Sequence, residues 1–143
     1  MDHKLNKKEL AAVREVMRVI RKTWGVIPHY CFVNAQRVAL VPSNHGYEML
    51  YHEGFFHAPQ GRMKHAWNTL NGKLVDVSSS VPMESLHEVA HLYEITGTYT
   101  AHEIVKKRIE NNSMTMILWL NDPDPQNKKE MENLPGSAVK SSA

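Results

Sequence analysis

At 143 residues and 42% hydrophobic, the chain has room for one domain with one sizeable core, since single domains cluster at about 100 to 150 residues. A formal net charge of +2, from 17 Lys and Arg against 15 Asp and Glu, makes no strong field, so nucleic acid is not an expected partner. The first ten residues hold no apolar leader core, no window nears the roughly 18 apolar residues of a membrane span, and one Cys cannot form an internal disulfide; the expectation is a soluble, cytoplasmic protein without membrane contact.

From Asn6 to Trp24, Leu10, Val13, Met17 and Ile20 recur at helical spacing, while Lys7, Arg14, Arg18, Arg21 and Lys22 occupy the rest of the wheel. The spacing predicts an amphipathic helix ended by Gly25, with a solvated basic face. Pro28 suits the first turn of a second helix, where its missing N–H would be unpaired anyway, and this places Cys31 in or near that turn. The second helix is expected to run through Phe32, Ala35, Val38 and Ala39 and to stop before the turn-forming run Pro42 to Gly46.

Tyr47 to Phe56 is short, rich in aromatic and large apolar residues, and bounded by turn formers, so it reads as a strand followed by a Pro59-Gln60-Gly61 loop. Lys64 to Leu70, Asn71-Gly72, and Lys73 to Val77 form a strong hairpin pattern, because Asn-Gly supplies the two positive-φ residues of a type I′ turn. Pro82 with Leu86, Val89, Ala90 and Tyr93 predicts a helix ending near Gly97, and Thr100 with Glu103 has capping-box spacing for another. Met114 to Leu120 is an apolar run compatible with a strand or a buried helical turn. Residues 1–120 are thus expected to form a single domain, and residues 121–143 a loosely ordered segment.

The hairpin has a chemical consequence. With a two-residue turn, Leu70 faces Lys73 and Trp67 faces Asp76, so His65 and Asp76 become diagonal neighbours on one face, within side-chain reach. A one-residue slip would separate them onto opposite faces. Side by side, the carboxylate fixes the ring's tautomer and favours imidazolium, which is what a general base beside a nucleophile needs. Cys31, in or near a helix's first turn, whose partial positive charge favours thiolate, would supply that nucleophile.

This order of residues resembles the core of the transglutaminase-like and papain-like cysteine superfamily: Cys31 on a helix, His65-Ala66-Trp67 on a strand, the turn Asn71-Gly72-Lys73, and Val75-Asp76 on the next strand. Tyr30 to Ala35 and Glu53-Gly54-Phe55 are also similar to small, mostly uncharacterised members from bacteria and phages. Residues 28 to 109 carry the resemblance, with Val77-Ser78 standing where Pro-Thr often follows the Asp. It implies an α+β fold in which N-terminal helices, including the Cys31 helix, pack on a small antiparallel sheet with strands near 47–56, 64–70 and 73–77, followed by C-terminal helices. It also implies thiol chemistry without a cofactor: hydrolysis or transfer of an amide, ester or thioester of a peptide, protein or small acyl compound. Cys31 would be the nucleophile, His65 the base and then the acid, and Asp76 the orienter. The Cys31 backbone N–H, with Tyr30, Asn34 or Gln36, are candidates for an oxyanion hole, and Glu53 and Trp67 for the site lining.

Two alternatives stand beside this reading. His87-Glu88-Val89-Ala90-His91 matches the H-E-x-x-H pattern, in which two His one helical turn apart bind zinc and the Glu activates water, with His102 or Glu110 available as a further ligand. The plainer reading of the same stripe is a polar helix face, with no metal. A catalytically silent binding or inhibitor module of phage type, built on the same thiol-site fold, is the other alternative.

Overall fold

A computed structural model describes residues 3–41, 46–112 and 116–118. Three helices and a four-stranded antiparallel sheet make an α+β fold, with the Cys31 helix packed on the sheet. The expected segment 121–143 lies outside the described residues.

Helix α1 (Lys7–Thr23) starts on Asn6, whose side chain accepts from the Glu9 N–H while Glu9 accepts from the Asn6 N–H, a complete capping box. Its inward face buries Ala12, Val13, Val16, Met17 and Ile20, and the basic residues of the wheel stay exposed. Buried Glu9 also accepts from Lys73 at 2.7 Å and Asn71 at 3.2 Å, tying the start of α1 to a turn of the sheet. Helix α2 (Cys31–Leu40) begins at Cys31 itself. Pro28 lies in the preceding turn, not in the helix, and the next residue, His29, takes φ 69°, which no α-helix tolerates.

The strands β1 (Met49–Ala58), β2 (Gly61–Leu70), β3 (Lys73–Val75) and β4 (Tyr93–Tyr99) lie in the order β3-β2-β1-β4. Pro59 and Gln60 are a two-residue turn, since Ala58 pairs with Gly61. The second hairpin turns on Asn71 (φ 53°) and Gly72 (φ 80°), and Asn68, Thr69 and Leu70 face Val75, Leu74 and Lys73, the register expected of a type I′ turn. Alternation then divides the sheet. Tyr51, Ala66 and Asn68 face α2 and α3, in a core with Phe32, Val33, Ala35, Ile104 and Met116, and the Asn68 amide donates to the Ala35 carbonyl at 2.8 Å. Trp67 and Leu74 pack on the other face with Leu86.

The segment after the hairpin corrects one expectation. Residues 83–92 form two 3₁₀ turns, Met83–Glu88 and Ala90–Leu92, and Tyr93 opens β4 where a continuous α-helix to Gly97 was expected. Met83, Leu86, Val89 and Leu92 recur every three residues, the 3₁₀ period, so the apolar spacing fitted both helix types. Tyr93 to Tyr99 is rich in aromatic and β-branched residues, which suit a pleated edge. Helix α3 (Ala101–Asn111) has the expected capping box of Thr100 and Glu103. Of the apolar run 114–120 only 116–118 are described, in neither helix nor strand.

Candidate active site

His65 on β2 and Asp76, one residue past β3, are in contact: the ring Nε2 lies 2.7 Å from Asp76 Oδ2. Pairing of β3 stops at Val75, so the chain is free to curl there and bring the carboxylate over the ring. Asp76 is buried, and its desolvation is offset by three donors. The Tyr93 hydroxyl donates to the same Oδ2 at 2.7 Å, and the Ser78 backbone N–H donates to Oδ1 at 3.0 Å.

Cys31 completes the group. Half-buried at the first position of α2, it lies close enough to the His65 ring to act on it together with Asp76 and raise its pKa. Asn34, one helical turn on, explains how the helix start reaches the hairpin. Its Oδ1 accepts from the Ile27 N–H at 3.0 Å, and its Nδ2 donates to the Ile27 carbonyl at 2.8 Å and to Ser78 Oγ at 3.3 Å. One amide therefore ties the loop before Cys31 to the residue that also holds Asp76.

The electrostatics follow from this geometry. Burial works against a charged His65, but the hydrogen bonds and charges of Asp76 and Cys31 outweigh it and push the ring's pKa up to about 10. Burial and the adjacent Asp76 carboxylate push the Tyr93 phenol well above its ordinary range, so it remains a donor. Trp67, fully buried, stacks on His65 at 5.7 Å between ring centroids, while Phe56 and Tyr93 approach from other sides at 6.2 and 5.9 Å. These rings keep water from one side of the imidazole. Gly54 makes room for them: a Cβ there would stand 1.9 Å from the Glu94 carbonyl oxygen and 2.8 Å from the Trp67 ring.

No family model, curated protein or solved structure matches the chain.

The remaining candidates separate into neighbours and supports. Tyr30 precedes α2 and packs, half-buried, against the same core as Cys31. The Asn34 amide is committed to the bonds just described, and buried Gln36 donates from Nε2 to the Tyr51 hydroxyl at 3.3 Å on the sheet face. Among the described residues, no side chain caps the start of α2, which leaves the first N–H groups of the helix, that of Cys31 among them, without a side-chain acceptor. Glu53, completely buried, accepts from Tyr51 and from the backbone N–H groups of Ile117 and Leu118, so it anchors that segment of chain.

His87, Glu88 and His91 fall across the two 3₁₀ turns, so the α-helical i, i+4 presentation expected of H-E-x-x-H is not formed. Among the described residues no three His, Cys, Asp or Glu side chains are grouped to hold a metal ion. No helix there is long and apolar enough to cross a membrane. Tyr93 and Phe56 are the site residues that sequence reasoning missed. Tyr93 was absorbed into a helical pattern; its signal is the run Tyr-Glu-Ile-Thr-Gly-Thr-Tyr, which is strand-like.

Proposed function

We propose that the protein is a small thiol hydrolase or acyltransferase acting on an amide, ester or thioester. The observation that carries this reading is one imidazole hydrogen-bonded to a buried carboxylate, with the only thiol of the chain close enough to act on the same ring. Cys31 would attack the acyl carbon, with its own backbone N–H facing the developing oxyanion at the start of α2. His65 would carry the proton, and Asp76, held by Tyr93 and Ser78, would keep the ring oriented. Water or an acceptor amine would then release the thioester.

The test is alkylation by iodoacetamide at pH 6, scored against a free cysteine peptide. Cys31 should react about tenfold faster or more, because a thiol paired with imidazolium is thiolate where a free thiol is not, and His65→Ala should erase the advantage. Equal rates for protein and peptide, unchanged in His65→Ala, would remove the activated thiol and with it the enzyme.

A further inference from the structure

Beside the His65 ring lies a cavity of about 280 Å³ whose walls include His65 and Asp76 but not Cys31. Its apolar lining is Phe56, Ala58, Met63, Val81 and Tyr93, and Gln60, Lys64 and Ser78 to Ser80 complete the wall. A cavity of about 260 Å³ between α1 and the first strand touches none of the three thiol-site residues. The position relative to the two reacting groups carries the inference. In acyl transfer to a thiol, the bond from sulfur to the acyl carbon forms as the bond from that carbon to the leaving atom breaks. The imidazolium proton moves to the leaving atom, which departs as a neutral thiol, amine or alcohol, and the ring is left neutral. Space against Cys31 therefore belongs to the acyl part, and space against His65 to the part that leaves.

We propose that this cavity is the leaving-group pocket of the thiol site and that it selects an uncharged apolar leaving group the size of one side chain, aromatic by preference. The proposal rests on the acyl-transfer reading above. The volume sets the size, since it falls just below the roughly 300 Å³ at which pockets for drug-sized ligands begin. Its chemistry sets the class. Phe56 and Tyr93 pack on each other at 5.2 Å between centroids with planes 59° apart and give the wall its aromatic surface. Beside Lys64 the wall holds Asp76, whose carboxylate is taken up by His65, Tyr93 and Ser78. An aromatic ring gains edge and face contacts there that a short alkyl group does not make.

Two thioesters with the same acyl group test this: S-acetyl 2-phenylethanethiol and S-acetyl ethanethiol, whose leaving thiols are close in intrinsic reactivity. Acetylation of Cys31 is followed by mass spectrometry and thiol release by a chromogenic disulfide. The phenylethyl ester should acylate at least about tenfold faster, the discrimination an apolar pocket provides. Ser80→Trp, on the exposed rim, should cut that preference to below about twofold while leaving the ethyl ester's rate near wild type. Equal rates for the two esters in wild-type protein, with Cys31 acetylated by both, would overturn the pocket and leave the thiol chemistry standing. A preference that survives Ser80→Trp and Met63→Trp together would overturn it as well. Failure of both esters to acetylate Cys31 would end the acyl-transfer reading, and the pocket with it.

Discussion

Two histidines flank one indole and are held in opposite charge states. His52 on β1 lies 6.1 Å from the Trp67 ring and His65 on β2 lies 5.7 Å from it, centroid to centroid. His52 is only 3% exposed, and its nitrogens meet two hydroxyls, Thr69 Oγ1 at 2.7 Å and Thr98 Oγ1 at 3.0 Å. Those partners carry no charge, so burial alone decides and lowers its pKa to about 4. Burial also opposes charge on His65, yet Asp76 and Cys31 outweigh it and raise the pKa to about 10. Burial therefore sets the state of a histidine only where no charged partner opposes it. His52 is a strut bonded to the strands on either side of β1, and His65 is a stored proton.

The comparison breaks most completely at Asp76. In Asp76→Asn, His65 keeps its burial and loses the neighbouring negative charge, so its state should move toward that of His52. Cys31 alkylation at pH 6 should then lose most of its advantage of about tenfold over a free cysteine peptide. Gly54→Ala strikes both histidines through the indole between them, because the new methyl group would meet the Glu94 carbonyl and the Trp67 ring. A loss of about 1 to 3 kcal/mol is expected from the urea midpoint, with slower Cys31 alkylation beside it.

The pH dependence of stability separates the two histidines by sign. The folded pKa of His52 is below its unfolded value of 6.5, so its contribution is complete above pH 6.5 and is lost as pH falls toward 4. For His65 the folded value is the higher one, so its contribution is complete below pH 6.5 and is lost as pH rises toward 10. Urea midpoints measured across pH should show His52→Gln flattening the acid limb and His65→Gln the alkaline limb. The smallest effect belongs to the turn. Gly72→Ala forces an alanine to φ 80° and should cost about 1 kcal/mol in thermal unfolding, loosening the His65–Asp76 contact while His52 keeps both hydroxyls.

How much of this could be read from residues alone follows the range of the interactions. The Asn71-Gly72 turn is local chemistry, so the register and the His65–Asp76 contact were legible from it. The two capping boxes are equally local. The meeting of Cys31 with His65 is not: it depends on Asn34 reaching Ser78 across 44 positions, and only the family resemblance suggested it. Tyr93 was hidden for another reason. A three-residue apolar spacing supports a 3₁₀ turn and an α-helix alike, so the start of β4, and with it a donor to Asp76, was assigned to the wrong element.

The charge on His65 is what separates a stored proton from a strut, and nitrogen NMR of the ring reads it directly. In full-length protein at pH 7, both ring nitrogens of His65 should show the imidazolium signature and begin to titrate only on approach to pH 10. A neutral ring at pH 7, with one nitrogen unprotonated as in His52, would contradict the account.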